Sequence, residues 1–383
     1  MEEKKVSWLE LFFDLVFVTA VSFTTHVLVN ADLHPDRINN YILEFLLVVF
    51  PMFWLWIGQT MFFNRFSELV SRPTLFMLPQ MFCLILMTAS FNFGYANLHT
   101  NFLLGYIIFR ILTVVQYILV EQRRLNNAQY RTAHILALIF SINILITASS
   151  LLFHGQWRYI IMYIGIFADI ILPLFFGKTL AHTPVNLPHL TERFGAFVII
   201  ALGESLVSIT SILADGIITV NSIAFTALSF ILISSMWASY FYDFEHTFDR
   251  KLETNGQLLL YGHFFILAAI MVLAATLHML YANVLPKNVL TDFLFGSAAL
   301  FFVCKHFIFY RHRKKELQYK VREMTGIFIL MVVFYLINHT FEPPLVVTML
   351  SLYLCFGIEI TVQQTLYSKV IFKRKRRQNK KAS

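Results

Sequence analysis

The stretch QLLLYGHFFILAAIMVLAATLHMLY, at residues 257–281, contains no Asp, Glu, Lys or Arg. An α-helix rises 1.5 Å per residue, so about 20 apolar residues cross the roughly 30 Å hydrocarbon core of a bilayer. This stretch is therefore predicted to be a transmembrane helix. Similar apolar runs predict further spans at residues 8–29, 41–62, 74–96, 101–121, 132–152, 158–177, 192–213, 221–242, 290–310, 323–340 and 345–365.

The composition of the whole chain agrees with these spans. Of its 383 residues, 58% are hydrophobic and 14% are charged, and the mean hydropathy is +0.67. So few charged side chains do not cover the surface of a soluble protein of this length. We therefore expect an all-α polytopic transmembrane bundle of about twelve helices, whose main partner is the lipid bilayer.

The distribution of Lys and Arg predicts how the spans are oriented. Basic residues are concentrated before the first span, around the loops after even-numbered spans and in the C-terminal tail, residues 366–383. The loops after odd-numbered spans carry only Arg37, Arg158 and Lys287. Because Lys and Arg favour the cytosolic face of a membrane, both termini of this multi-pass membrane protein are predicted to be cytosolic.

The tail contains the basic run Lys373-Arg-Lys-Arg-Arg377. Such a run binds anionic lipid or nucleic acid in some proteins, and in others it only fixes the orientation of the last span. No sequence pattern of a nucleic-acid-binding fold surrounds it. We interpret the run as an orientation anchor and expect no nucleic-acid partner.

Two stretches of the chain resemble each other when residue 10 is aligned with residue 192. The stretch WLELFFDLVFV at residues 8–18 then matches LTERFGAFVII at residues 190–200 at a Glu, a Phe and a Val. With nearly the same offset, Trp56 falls opposite Trp237. The chain is therefore predicted to contain an internal duplication.

The duplication divides the chain into two six-helix repeats, residues 1–180 and residues 185–365. Gln80 of the first repeat falls opposite His263 of the second. Since six is an even number of spans, both repeats are predicted to have the same orientation in the membrane. In duplicated transporters the substrate site lies near the membrane midplane, where the repeats meet.

The stretches Glu10-Leu-Phe-Phe-Asp-Leu-Val-Phe-Val18 and Glu192-Arg-Phe-Gly-Ala-Phe-Val-Ile-Ile-Ala-Leu-Gly-Glu-Ser205 resemble the two signature stretches of the bacterial low temperature requirement A (LtrA) family. Trp56 and the run Asn64-Arg-Phe66 extend the resemblance over essentially the whole chain. The chain departs from the pattern at Ser67-Glu68, where the family favours aspartates. The matching motif positions are Glu10, Phe13, Asp14, Glu192, Arg193, Phe194, Gly203, Glu204 and Ser205.

This resemblance implies a multi-pass protein of the bacterial cell membrane that is connected with growth at low temperature, and it implies no particular biochemical activity. A shorter similarity, Phe13-Asp14 followed by Val16-Phe17, is to the first helix of the lysosomal potassium-channel family and its bacterial relatives. By analogy, it favours ion permeation.

Two acidic residues lie at the start of the first span. Ser7 and Glu10 have the spacing of a capping box, in which each side chain accepts a hydrogen bond from a free backbone N–H group. Glu192, in the first turn of the seventh span, has a similar structural explanation in the helix dipole. Asp14 lies one turn beyond Glu10 on the same helix face. Either the two carboxylates form a vestibule for cations or protons, or Asp14 is retained by a hydrogen bond to a neighbouring helix.

Glu204 is predicted to lie deepest in the membrane. It follows Glu192 by about 18 Å of helix, which places it near the bilayer centre. An ionised carboxylate there costs several kcal/mol unless it is paired or hydrated. Gly203 and Ser205 beside it make the helix small-sided and favour an internal position. Glu204 is accordingly either a coupling group or a neutral carboxyl bonded to a neighbour.

The other charged residues within spans can form pairs in each repeat. Arg110 and Asp169 belong to the first repeat, and Lys305 and Glu359 occupy similar places in the second. If each pair is an ion pair, its role is structural. Asp14 and Glu204 are then the two acids without a partner, which makes them the candidates for permeation or coupling.

The sequence suggests no metal site and no cofactor. Its histidines are scattered over several spans, and its three cysteines form no C-x-x-C pair. His182, His189 and Glu192 cluster near the start of the seventh span, and they are the basis of a rival hypothesis, a membrane-embedded enzyme acting on lipid. We favour permeation of a proton, a cation or a small solute over an enzyme. The third alternative is a non-catalytic membrane component for growth in the cold.

Overall fold

The computed structural model describes residues 4–29, 35–90, 94–120, 125–214, 218–283, 285–317 and 321–382. Within these ranges the chain is helical, and extended backbone pairs only at the isolated bridge between Phe248 and Arg313. The α-helices are α1 Trp8–Val29, α2 Ile38–Phe66, α3 Thr74–Ala89, α4 Gly94–Leu119, α5 Asn127–Ser149, α6 Gln156–Phe175, α7 Gly177–Ala181, α8 Leu187–Ala214, α9 Val220–Tyr242, α10 Gln257–Ala282, α11 Lys287–His312, α12 Val321–Phe341 and α13 Leu345–Ala382.

Eleven of the described helices are long and apolar enough to cross a membrane. This confirms the predicted all-α polytopic bundle. The predicted third span, residues 74–96, is wrong in length, because α3 has only 16 residues and is about 24 Å long. The helix ends at Ala89, and the hydroxyl of the next residue, Ser90, donates to the carbonyl of Met87 at 2.6 Å and so competes with the helical hydrogen-bond pattern.

The last helix is longer than the predicted twelfth span. α13 continues from Leu345 to Ala382, so the backbone of the predicted tail, residues 366–383, is helical up to Ala382. The side chains of the basic run at residues 373–377 lie outside the described residues.

The chain divides into two compact units. Unit 1 comprises Met1–Thr24, Glu44–Phe197 and Glu253–Leu260, and unit 2 comprises Thr25–Leu43, Val198–Leu252 and Tyr261–Ser383. In unit 1, α4 packs against α3 and α5, and α5 packs against α6. In unit 2, α13 packs against α9 and α12, and α12 packs against α11. The duplication of residues 1–180 and 185–365 stays a prediction.

Small residues allow close helix packing inside each unit. In unit 1, a Cβ atom added to Gly165 of α6 would lie 2.8 Å from the backbone nitrogen of Thr147 in α5. In unit 2, a Cβ atom added to Gly262 of α10 would lie 2.4 Å from a side-chain atom of Ile308 in α11. Such contacts are typical of membrane helices, which associate by backbone approach and van der Waals packing.

Candidate functional site

Two acids, one arginine and one histidine form a buried cluster in unit 1. We call Glu10, Asp14, His189 and Arg193 the acid cluster. The two acids lie one turn apart on α1, and His189 and Arg193 lie one turn apart on α8, so that each helix presents one pair. Arg193 Nη1 lies 2.8 Å from Glu10 Oε1, and its Nη2 lies 2.6 Å from Asp14 Oδ1. One guanidinium therefore bridges both carboxylates.

Glu10 has partners for both of its carboxylate oxygens. Oε2 accepts from the backbone nitrogen of Ser7 at 3.0 Å and from its hydroxyl at 2.8 Å, and the nitrogen of Glu10 donates back to that hydroxyl at 3.3 Å. The predicted capping box is present. Oε1 is bound by Arg193. The side chain is thus fixed both by its own helix end and by α8.

Asp14 has partners for only one oxygen. Oδ1 accepts from Trp56 Nε1 at 2.7 Å and from Arg193 Nη2 at 2.6 Å, whereas Oδ2 is buried and has no hydrogen-bond partner among the described residues. The expectation that Asp14 has no partner is therefore wrong. The partners come from α2 and α8, which lie far from Asp14 in the sequence. The Arg193 guanidinium also lies over the Trp56 ring, 5.5 Å from its centroid.

The hydrogen bonds of Asn64 determine the tautomer of a neutral His189 ring. Asn64 Nδ2 donates to the carbonyl of Asn186 at 2.8 Å, and its Oδ1 accepts from the nitrogen of Asn186 at 2.9 Å, which fixes the orientation of the amide. Nδ2 then also donates to His189 Nδ1 at 3.0 Å, so Nδ1 carries no proton. The proton of the neutral ring is on Nε2, 3.1 Å from Glu10 Oε1.

A second charged pair lies in unit 1. Arg110 of α4 and Asp169 of α6 are in contact and fully buried. Asp169 Oδ2 also accepts from the hydroxyl of Tyr106 at 2.9 Å, and its Oδ1 accepts from Asn143 Nδ2 at 3.4 Å. The structure thus brings together the two residues that the sequence analysis placed in one repeat.

Unit 2 contains a larger charged network. We call Asp243, Lys305, Arg313 and Glu359 the lysine network. Lys305 contacts Glu359 directly and lies 3.8 Å from Asp243 Oδ2, and Arg313 contacts Asp243. Gln363 donates to both carboxylates, at 3.0 Å and 3.1 Å. Two acids and two bases balance one another here, which explains how four charged side chains are buried together.

Three residues of unit 2 have the geometry of a metal site. Ligand atoms of Asp243, His306 and Glu359 lie within 4.8 Å of one another, and among the described residues this is the group that meets the criterion. The Lys305 ammonium, however, contacts Glu359 and lies beside Asp243. Since the ammonium supplies the positive charge that a metal would bring, the group is explained as an ion-pair network.

Glu204 is buried on α8, together with Ser205. It makes an interaction within the described part of the chain, so the expectation that it has no partner is also wrong. A Cβ atom added to Gly203 would meet nothing within 4 Å, so no neighbouring helix is in close contact at that glycine. Of the remaining motif positions, Phe13 and Phe194 are buried in unit 1.

The residues of the enzyme hypothesis do not converge. His182 and Glu192 are exposed, whereas His189 is buried against Asn64 and Glu10. The three form no metal-ligand group in the part of the chain that the structure describes. No observation therefore favours lipid chemistry at these residues.

A polar cavity of about 420 Å³ lies beside the acid cluster in unit 1. Its lining comes from the segment before α1, the end of α2, the start of α5 and the loop before α8. Asn64 and Asn186 belong to this lining and also hold His189. A continuous series of polar contacts therefore leads from the cavity through Asn64 and His189 to Glu10.

Several residues of these networks were missed by the sequence analysis. Arg193 matched the family motif without a role, and Asp243 and Arg313 fell in predicted loops. Asp243 is buried because a π-helical turn, Asp243–Thr247, continues α9. One available signal was the spacing of His189 and Arg193, which puts both on one face of α8 opposite two acids of similar spacing.

The chain matches a known family and one distant relative. It matches the family described as Bacterial low temperature requirement A protein (LtrA) over residues 5–358. It is also similar to an uncharacterized protein of Rhizobium meliloti (strain 1021), with 24% identity over 70% of this chain and 68% of the relative. Because the family match covers nearly all of the chain, this multi-pass helical membrane protein belongs to the bacterial low temperature requirement A family.

Proposed function

We propose that this protein conducts or exchanges protons or small cations across the bacterial cell membrane, and that growth at low temperature depends on this flux. The acid cluster of unit 1 is the proposed binding element. The link to low temperature rests on the family name, and the flux rests on the chemistry of the cluster.

The unpartnered oxygen of Asp14 carries the proposal. Asp14 is 1% exposed, and its Oδ2 has no hydrogen-bond partner among the described residues. A buried carboxylate oxygen without a donor costs free energy comparable to that of a lost charged hydrogen bond. A proton on Oδ2, or a cation beside it, reduces that cost.

The net charge of the acid cluster also favours the binding of a proton or a cation. With both acids ionised and His189 neutral, two carboxylates face one guanidinium, which leaves one net negative charge. Lys4 interacts electrostatically with Glu10, but its ammonium donates to the carbonyl of Phe63 rather than to Asp14. One proton or one monovalent cation would neutralise the cluster.

His189 provides a route for protons to the cluster. It contacts Asn64, which lines the polar cavity, and Glu10 on its other side. For a proton to pass, a carrier from the cavity such as water has to replace the Asn64 amide at Nδ1, so that Nδ1 gains a proton as Nε2 gives its own to Glu10. The segments that line the cavity are all predicted to be cytosolic by the Lys and Arg distribution, which supports access from the cytosol and cytosolic termini.

Glu204 is the second candidate group for coupling. It is buried in α8, a helix of 28 residues, ten residues before its end at Ala214. A carboxyl at that depth changes charge only if a proton or cation reaches it. This role is tested separately from that of Asp14.

Flux through the purified protein tests the proposal. The protein is reconstituted into liposomes with an internal pH dye, and proton flux is measured under an imposed potential with Na⁺ or K⁺ outside. Asp14→Asn keeps the acceptor for Trp56 and Arg193 but removes the charge, so we expect flux to fall at least about tenfold, the equivalent of 1.4 kcal/mol. The exposed Asp36→Asn is the matched control. Wild-type protein without flux above empty liposomes, or unchanged flux in Asp14→Asn, contradicts the proposal.

A further inference from the structure

The described residues that line the polar cavity of unit 1 carry a net positive charge, because Lys4 and Arg65 are basic and Glu68 is acidic. Arg65 at its edge donates from Nε to the carbonyl of Thr183 at 3.1 Å and from Nη2 to the carbonyl of Asn255 at 2.8 Å. It forms no ion pair with a carboxylate among the described residues. Carbonyl oxygens satisfy the donors of a guanidinium but leave its positive charge without a counter-ion.

A second cation lines the same cavity. Lys4 donates to the carbonyl of Phe63. Burial lowers the pKa of Lys4 to about 8, Arg193 acts in the same direction, and Glu10 and Glu68 partly oppose both. The ammonium is therefore poorly compensated. Glu68 is the acidic residue of the lining, and it is exposed.

Amide, hydroxyl and imidazole groups complete the cavity. Asn126 and Gln129 come from the start of α5, and His182 comes from the loop before α8. Two basic residues and several neutral hydrogen-bonding groups, with one exposed acid, leave a net positive site, and such a site recognises an oxyanion. The volume of about 420 Å³ is in the range of small-molecule sites and exceeds that of a single inorganic ion.

We propose that this cavity binds a phosphate group, carried either by a lipid headgroup or by a small soluble phosphate compound. Arg65 is held by two backbone carbonyls, its Nη1 makes no hydrogen bond among the described residues, and Lys4 supplies a second positive charge. A bound phosphate gives Arg65 the counter-ion that it lacks. This inference does not depend on the proposed ion flux, because binding is measured without a gradient.

Calorimetric titration of the purified full-length protein in a neutral detergent tests the proposal. One arm uses inorganic phosphate, and the other uses a short-chain phosphatidylglycerol below its micelle concentration, both at constant ionic strength. Lys4→Gln removes a positive charge and is expected to weaken binding about fivefold, and Glu68→Gln removes the opposing charge and is expected to strengthen it by a similar factor. Lys178→Gln, an exposed lysine outside the cavity, is the matched control and is expected to bind like wild type.

The two arms separate the two sources of phosphate. Saturable binding of inorganic phosphate with the expected order of variants identifies a soluble ligand, and saturable binding of the lipid alone identifies a headgroup site. The proposal is overturned if neither probe saturates, or if Lys4→Gln and Glu68→Gln both bind like wild type. Size-exclusion profiles verify that each variant is folded, and the opposite signs expected for the two variants exclude a general loss of structure.

Sulfate gives an independent check, because its charge is constant between pH 7 and pH 9. Lys4 loses its proton in this range, so sulfate affinity is expected to fall as pH rises, and this fall is expected to be smaller in Lys4→Gln. The charged groups that act on Lys4 are Glu10, Glu68 and Arg193, and His182 also lines the cavity. A wild-type affinity that does not change with pH contradicts a role for Lys4.

Discussion

Arg193 compensates two buried carboxylates with one guanidinium. Its two terminal nitrogens reach Glu10 and Asp14 separately, and its plane lies over Trp56. A lysine has one ammonium and cannot form the same planar fork. The position therefore requires Arg for its geometry as well as for its charge.

Arg193→Gln is expected to destabilise the protein by about 3–5 kcal/mol, because it leaves two buried carboxylates without their counter-charge. Thermal unfolding of the purified variants, followed by tryptophan fluorescence, measures the effect. Arg131→Gln, at an exposed position on α5, is expected to unfold like wild type.

The same variant offers a coupling test. The double variant Arg193→Gln with Asp14→Asn removes one of the two unpaired charges, so it is expected to be more stable than Arg193→Gln alone. Additive losses in the double variant would mean that Arg193 and Asp14 do not interact energetically.

Glu204→Gln tests whether this carboxyl changes its protonation during function. Gln has nearly the same size and resembles the protonated acid, so the protein is expected to insert and fold but to lose the pH dependence of its flux. Flux and growth in the cold are compared at several pH values and at matched expression. Glu192→Gln, an exposed position on the same helix, is the control. Wild-type behaviour of Glu204→Gln at every pH would leave Asp14 as the remaining candidate.

At the scale of helices, corresponding positions of α2 and α9 contact charged side chains within their own units. Gly58 of α2 lies against Arg110, and Ser239 of α9 donates to Glu359 and accepts from Lys305. The next residue along each helix also has a polar partner on the following helix. Gln59 accepts a hydrogen bond from Gln80, and the hydroxyl of Tyr240 is hydrogen-bonded to His263. These correspondences support the proposed duplication.

Other positions of the proposed repeats differ. Trp56 is fully buried, whereas Trp237 is 50% exposed, so their environments are unlike. Glu10 is buried and Glu192 is exposed. If the halves arose by duplication, each has since acquired its own network.

The duplication predicts how Gly58 responds to substitution. Gly58→Ser introduces at α2 the side chain that Ser239 places at α9, so its hydroxyl is expected to accept from Arg110 and to cost little stability. The added Cβ lies 2.7 Å from Arg110 Nη1, which is the end of a long side chain and can shift. Gly58→Val adds bulk without an acceptor and is expected to cost about 1–3 kcal/mol more. Equal unfolding temperatures for the two variants would argue against the correspondence.

The sequence predicted helices well and their contacts poorly, for a physical reason. A bilayer requires about 20 apolar residues per span, so hydropathy alone identifies most helices. The network of Glu10 with Arg193, by contrast, joins residues that are far apart in the chain and depends on side-chain geometry. Asp243 was missed because its burial results from a π-helical turn that hydropathy does not report. Charge pairs within one repeat, such as Arg110 with Asp169, were easier to predict, because an isolated charge in a span needs a partner.

At the scale of the whole molecule, cysteine labelling tests the membrane orientation that the distribution of Lys and Arg predicts. We expect Lys178→Cys to react with an impermeant maleimide only after the cells are opened, and Val220→Cys to react in intact cells, because basic residues favour the cytosol. Both positions are exposed. The wild-type protein, with Cys83, Cys304 and Cys355, gives the background. Labelling of Lys178→Cys in intact cells would contradict the predicted topology.

Several other positions are less suitable for this labelling. Asn126 caps α5 through its contacts with Gln129, and Asn255 bonds to Gln257, so a cysteine at either position would remove structure as well as add a label. Asn288 is described and partly exposed, whereas Asn30 and Gly216 lie outside the described residues.

The shortness of α3 has a consequence for the membrane around it. Its exposed side carries Leu75, Leu78, Phe82 and Ile85, which are suited to lipid contact. The helix is about 24 Å long and the hydrocarbon layer is roughly 30 Å thick. The layer must therefore thin around α3, or the ends of α3 must lie inside the hydrocarbon layer. Cooling orders lipid chains and thickens the layer, which increases this hydrophobic mismatch as temperature falls. Because Gln80 of α3 donates a hydrogen bond to Gln59 in α2, we expect a change in bilayer thickness to act on the polar interior of unit 1 through α3.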